Sequence, residues 1–63
     1  METLKQSCIG CSLLKAQAMA DVEKVPHRVV QEDGEHFFVT SDFVPERLNF
    51  YVEKGKIVEV RNG

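Results

Sequence analysis

The chain has 63 residues, of which 43% are hydrophobic, and its formal net charge is −2. This length allows a single domain, residues 1–63, close to the lower size limit for folding without disulfides or metals. The composition favours a packed globule over disorder. A core this small has little room for a cofactor cavity, and enzymes of this size are rare, so we expect no cofactor and no enzymatic activity. We expect no metal site either, because of the Cys and His spacing described below.

The sequence also bears on membranes and compartment. No apolar run is long enough to span a bilayer, so we expect no membrane partner. Residues 1–6 lack the apolar region of a signal peptide. We therefore expect either a cytoplasmic chain or the mature form of a secreted one.

Acidic residues are concentrated in one stretch. Residues 31–46 contain five acids and neither Lys nor Arg. Such a stretch is usually a solvated loop. It would repel phosphate backbones, which argues against a nucleic-acid partner, and it would suit a basic rim on a protein partner.

One helix is predicted over residues 13–23. Ser12 is suited to cap its N-terminus, and Gly10 would be costly inside a longer helix. The residue before Pro26 disfavours the helical conformation, which ends the helix. The residues at helical spacing that we expect to face a sheet are Leu13, Ala16, Met19 and Ala20.

Three strands are predicted after the helix, over residues 27–31, 47–53 and 56–61. Gly55 supplies the positive φ of a hairpin turn between the second and the third. The second strand alternates between two faces, with Leu48, Phe50 and Val52 on the apolar face and Arg47, Asn49 and Tyr51 on the polar face.

Two arrangements of the first and second strands stay open. A tight turn over residues 32–35 would return residues 36–40 as an extra antiparallel strand in a meander. Alternatively, residues 31–46 form one long loop and the flanking strands run parallel, and loops of that length are commonly functional. Periodicity alone slightly favours the meander.

The sequence VTSDFVPERLN at residues 39–49 resembles the reactive-site loop and following strand of potato inhibitor I proteins (the eglin type) and their small bacterial relatives. The sequence IGCSLLKA at residues 9–16 resembles the start of that family's single helix, and Val29-Val30 falls where its first strand is expected. The resemblance favours the parallel arrangement. It implies an α+β fold in which one helix packs on a small mixed sheet with a parallel strand pair, a C-terminal hairpin and a long exposed binding loop at about residues 35–46.

The resemblance further implies a monomeric, substrate-like inhibitor of a serine protease that is cleaved at Ser41–Asp42. The reactive-loop residues that it implies are Phe38, Val39, Thr40, Ser41, Asp42 and Phe43. The small Ser41 fits a subtilisin-like or elastase-like target. We expect Arg47 and Asn49 to support the loop by donating hydrogen bonds. Plant members have a second Arg where Asn49 stands, so we expect Asn49→Arg to strengthen inhibition.

A different class of function is a non-inhibitory protein-interaction module on the same scaffold. Phe37 and Phe38 are adjacent within the acidic stretch and would point to opposite sides of an extended chain. Only one of them can reach the core, so the other would be exposed unless a partner buries it. A partner that contacts these residues and Phe43 would do so. Inhibition of a protease would not be required.

The C-x-x-C sequence from Cys8 to Cys11 raises a third class, redox chemistry or metal binding. A zinc site would need His27 and His36 as further ligands, and their spacing lies outside that of zinc fingers. Only seven residues precede the motif, too few for the strand that comes before a thioredoxin-like site. We expect Cys8 to be a small buried apolar residue and Cys11 to be exposed.

Overall fold

The fold is built from two helices and four strands. The computed structural model describes residues 4–37, 39 and 42–63. The elements are α1 (Leu4–Cys8), α2 (Leu13–Val22), β1 (His27–Glu32), β2 (Glu35–His36), β3 (Leu48–Glu53) and β4 (Lys56–Asn62). The strands form one sheet in the order β2-β1-β3-β4, in which β1 and β3 run parallel and the other neighbours run antiparallel. The predicted α+β fold with a parallel strand pair is confirmed.

Helix α2 begins where the sequence predicts. Ser12 is extended (φ −64°, ψ 154°), and its Oγ accepts a hydrogen bond from the backbone N–H of Lys15 at 3.2 Å. Such a cap satisfies a donor that the helix itself leaves unpaired. The predicted core-facing residues are confirmed: Ala16 and Ala20 are buried, and Leu13 and Met19 pack partly buried against the core.

The hydrophobic core is centred on β3. Leu48, Phe50 and Val52 are almost fully buried, and they alternate with half-buried Asn49 and Tyr51 on the other face of the sheet. The core is completed from other elements by Cys8, Ala16, Ile57 and Val60. Because each large apolar side chain contributes about 1.5–3 kcal/mol when fully buried, the alternation along β3 fixes which face of the sheet the helices cover.

Two tight turns close the hairpins of the sheet. Lys54 (φ 52°) and Gly55 (φ 79°) join β3 to β4, and Asp33 (φ 51°) and Gly34 (φ 84°) join β1 to β2. Two consecutive positive φ angles are typical of the two-residue turn whose twist matches that of the strands. The Asp33 Oδ1 also accepts from the backbone N–H of Lys54 at 2.7 Å, which links the two turns.

The structure combines the two strand arrangements that the sequence leaves as alternatives. Strand β2 pairs with the end of β1, with His36 opposite Gln31. Strand β1 nevertheless runs parallel to β3, with Arg28 opposite Asn49. The prediction of one uninterrupted loop over residues 31–46 is therefore wrong, and the loop begins after His36. Both arrangements fit because β2 has only two residues and leaves enough chain for the crossover to β3.

Helix α1 is a second correction, since the sequence predicts a single helix. Its five residues are too few to be helical in isolation. Tertiary contacts stabilise it: Cys8 is fully buried, Leu4 packs on the core, and the Lys5 Nζ donates to the Asn62 Oδ1 at 3.1 Å. Neither helix in the described part of the chain is long and apolar enough to cross a membrane.

Candidate functional site

The candidate site is the loop between β2 and β3. Most of its described residues are open to solvent: Val39 is 46% exposed and Phe43 is 71% exposed, and Phe37 at the start of the loop is also exposed. Three of the predicted reactive-loop residues lie outside the described part of the chain: Phe38, Thr40 and Ser41. Of the predicted scissile bond, the structure therefore describes Asp42 alone.

Hydrogen bonds hold the end of the loop where it enters β3. The backbone N–H of Arg47 donates to the Val44 carbonyl at 3.0 Å and closes a turn. The Val44 N–H donates to the backbone oxygen of Gly63 at 3.3 Å. The side-chain amide of Asn62 donates to the Pro45 carbonyl at 2.9 Å. The end of the loop is thus tied to the end of β4.

Arg47 connects the loop to Gly63 through its side chain. Its Nη2 donates to the Asp42 carbonyl oxygen at 3.0 Å and lies 3.5 Å from the Asp42 carboxylate. Its Nε and Nη2 donate to the Gly63 oxygen at 3.1 and 2.7 Å. The side chain is only 16% exposed, which limits competition by water. The bond to Asp42 places Arg47 where it can support the loop. A hydrogen bond to a charged group contributes about 1.5–3 kcal/mol.

Asn49 is linked to Gly63 indirectly, through the side chain of Arg28. Its Oδ1 accepts from the Arg28 Nε at 2.8 Å, and the Arg28 Nη2 donates in turn to the Gly63 oxygen at 3.5 Å. The parallel register of β1 and β3 brings Arg28 and Asn49 side by side. We call Arg28, Arg47, Asn49 and Gly63 the anchor cluster. In it Arg28 provides a second guanidinium from the neighbouring strand.

Gly63 fits the anchor cluster because it has no side chain. Its φ is +142°, a conformation that residues with a Cβ rarely adopt. A Cβ at this position would lie 3.2 Å from the Asn49 Nδ2 and 3.5 Å from the Phe43 Cδ1. The Phe43 ring thus lies beside the anchor cluster while most of its surface faces solvent.

The charges under the loop are mainly positive. Arg61 lies on the same face of the sheet as Asn49, its partner across the β3–β4 pair. Glu59 accepts a hydrogen bond from Arg61 and raises the pKa of Arg61 above its ordinary value. Glu59 thus offsets the charge of Arg61, whereas the guanidinium of Arg47 contacts the loop directly at Asp42.

Arg28 and Gly63 belong to the site although no sequence pattern reveals them. Arg28 can be found only through the register of the strands. A parallel pair that aligns His27 with Leu48 also places Arg28 beside Asn49 on the polar face. Gly63 has no side chain whose pattern could reveal a partner. Its role depends on where the end of β4 lies in space.

The cysteines lie far from this loop in the fold, at the junction of the two helices. Both are free thiols; Cys8 is fully buried, as expected, and Cys11 is half-buried with its Sγ donating to the Ser7 carbonyl at 3.1 Å. Among the described residues, no group of three or more His, Cys, Asp or Glu side chains could hold a metal ion. His27 packs against the Phe50 ring, with centroids 5.6 Å apart.

The function has to be argued from the site itself. No protein-family model matches this chain, and no curated protein matches it either. The fold presents an exposed loop whose exit is hydrogen-bonded to the sheet beneath it. This arrangement is suited to entering a cleft on another protein.

The contacts of Asn49 predict that Asn49→Arg lowers the stability of the domain, and its effect on inhibition stays a separate prediction. An Arg at this position would remove the acceptor of the Arg28 Nε and bring a like charge next to it. We expect the free energy of unfolding to fall by about 1–3 kcal/mol, because the half-buried Arg28 guanidinium loses one of its hydrogen-bond partners. Urea denaturation measures this, with Asn49→Asp as the control that keeps an acceptor. Equal stability of Asn49→Arg and the parent would show that the Arg28–Asn49 bond contributes nothing.

Proposed function

We propose that this protein is a substrate-like inhibitor of a serine protease, with subtilisin-like or elastase-like enzymes as targets. The observation that carries the proposal is the position of Arg47, which bonds both the Asp42 carbonyl and the buried Gly63. The resemblance of residues 39–49 to the reactive site of potato inhibitor I proteins supports Ser41–Asp42 as the bond presented to the enzyme.

The loop would bind the protease in an extended conformation, pairing with the edge of the cleft as an added strand. Ser41 would occupy the primary specificity pocket. Val39 and Phe43, on opposite sides of the Ser41–Asp42 bond, offer exposed apolar surface to the acyl and leaving-group sides of the cleft. The loop would therefore contact the enzyme on both sides of the reacting bond.

Preorganisation would make this loop an inhibitor rather than a substrate. A flexible peptide loses about 0.5–1.5 kcal/mol for each side chain that binding immobilises. A loop held by the anchor cluster has lost part of that freedom before it binds. After cleavage, the new amino group on Asp42 would stay near the acyl-enzyme because the Asp42 carbonyl remains bonded to Arg47. Religation would then compete with release.

The test is a titration of a panel of serine proteases together with changes at Ser41. We expect the parent to inhibit subtilisin-like or elastase-like enzymes. Ser41→Arg should gain at least about tenfold in affinity for trypsin-like enzymes and Ser41→Leu for chymotrypsin-like ones, because the central buried side chain carries a large share of the binding energy. The matched controls Ser7→Arg and Ser7→Leu lie on α1, outside the loop. If no Ser41 variant changes the inhibition profile, Ser41 is not at the reactive bond.

A protein-interaction module is the second candidate, and the exposure of Phe37 and Phe43 favours it. It predicts no inhibition of any enzyme in the panel. The parent would then bind a non-protease partner, and Phe43→Ala would abolish that binding. In an inhibitor, Phe43→Ala would instead lower the affinity for the protease.

A further inference from the structure

The side of α2 that faces away from the sheet is apolar. Leu14 and Val22 are 80% and 82% exposed, and Ala18 is exposed between them. A spacing of four residues places all three on one face of the helix, opposite the buried Ala16 and Ala20. A surface helix ordinarily has polar residues on that face. The fold alone therefore gives no reason for these apolar side chains, which we call the α2 stripe (Leu14, Ala18 and Val22).

A groove lies along one flank of the α2 stripe, between α2 and α1. Its volume is about 440 Å³, and it is open to solvent. Most of the residues that line the groove are apolar, with the polar Ser7 on α1, a positive charge toward the start of α2 and a negative charge toward its end. These features come from Leu4, Ala18, Met19 and Val22, with Lys15 and Glu23 as the charged residues.

The charges along α2 oppose the dipole of their own helix. Lys15 lies in the first turn and Asp21 in the last, and Glu23 and then Lys24 follow the end of the helix. Within this fully described helix, the first turn has no acid and the last turn has no base. The dipole favours the reverse order, with acids at the N-terminus and bases at the C-terminus. The order becomes favourable when a second α2 lies alongside in the antiparallel direction, because each Lys15 then approaches the C-terminal end of the other helix.

We propose that the α2 stripe is the interface between two copies of this chain, packed antiparallel about a two-fold axis that passes near Ala18. Leu14 of one copy then lies opposite Val22 of the other, since both are four residues from Ala18. Lys15 lies alongside Glu23 of the second copy, since both residues line the same flank. The small Ala18 lets the helices approach closely.

This contact is self-complementary in shape and in charge, as a two-fold interface requires, and that favours a second copy over an unrelated partner. It replaces the monomer expected from the sequence. The anchor cluster lies on the opposite face of the sheet from the core and α2, so the dimer leaves both loops accessible. The interface does not depend on the proposed function, and its test involves no protease.

Sedimentation velocity of the full chain from 10 µM to 1 mM, with a reducing agent present, tests the proposal. We expect a shift from monomer to dimer with a midpoint on the order of 10–500 µM, because the contact is smaller than a standard interface. Val22→Glu should weaken association at least about tenfold, since it places a charge in the apolar contact. The matched control Val58→Glu changes an apolar residue on β4 that is 51% exposed and should leave association unchanged.

A chain that stays monomeric at 1 mM overturns the proposal. The α2 stripe would then be a surface for a helix of another protein. A dimer that Val22→Glu leaves intact overturns it as well. Because neither result involves a protease, failure here is separate from failure of the proposed function.

Charge reversal tests the antiparallel arrangement at low salt, where surface ion pairs are least screened. Lys15→Glu and Glu23→Lys should each weaken association about threefold or more, because like charges then face each other twice in a dimer. An equal mixture of the two variants should recover association, since each mixed dimer again has opposite charges at both places. A mixture that associates no better than either variant alone overturns the antiparallel packing.

Discussion

Under the proposed inhibitory function, replacing Arg47 with alanine is expected to give a variant that a subtilisin-like protease cuts about 10- to 100-fold faster than the parent. The change removes bonds from the guanidinium to the Asp42 carbonyl and to the Gly63 oxygen. Loss of one charge-assisted bond costs about 1.5–3 kcal/mol, and each 1.4 kcal/mol corresponds to about tenfold. The core should stay intact, since the Arg47 side chain lies outside it.

The measurement is the half-life of the intact protein with a catalytic amount of protease, followed by mass spectrometry to locate the cut. Arg61→Ala is the matched control, because it removes a guanidinium from the same face of the sheet whose partner is Glu59 rather than the loop. If Arg47→Ala and Arg61→Ala have the same half-life, Arg47 does not support the loop. A cut other than at Ser41–Asp42 would contradict the assigned bond.

Phe50→Ala is expected to remove most of the stability of the domain. Phe50 is fully buried in the middle of β3, between Val29 on β1 and Val60 on β4. Truncating a buried Phe costs about 3–5 kcal/mol. A domain of 63 residues has a total stability of only about 3–9 kcal/mol. The variant should be partly or wholly unfolded at room temperature.

Urea denaturation followed by circular dichroism measures this loss. The control is Tyr51→Ala, which truncates the neighbouring aromatic residue on the half-buried face of the same strand. We expect the control to cost less than half as much. A midpoint for Phe50→Ala as high as that of the control would mean that the core is not centred on β3.

The sequence predicts those elements whose cause is local. The alternation of residues 48–52 places three apolar side chains on one face, and the structure buries those three. Ser12 caps α2 through its own hydroxyl, and Gly55 makes its turn through its own backbone freedom. In each case one residue or one short repeat determines the geometry.

The features that the sequence does not predict depend on contacts between distant residues. Helix α1 forms because Cys8 is buried in a core built by other elements. Strand β2 is one of the alternatives that the sequence leaves open, and its place beside a parallel β1–β3 pair depends on the whole sheet. Arg28 joins the anchor cluster through a register that becomes definite when β1 and β3 pair. Periodicity within one segment does not determine such pairings.

The order in which the chain folds follows from the parallel pairing of β1 with β3. The β3–β4 hairpin forms between neighbouring residues, whereas Arg28 and Asn49 are 21 residues apart along the chain. Closing that span costs entropy before the contacts offset it, so distant pairings form slowly. The anchor cluster needs Arg28 from β1, Arg47 and Asn49 from the start of the hairpin, and Gly63 from just after β4. On refolding of the full chain, we therefore expect the β3–β4 hairpin to form early and the loop to become fixed last.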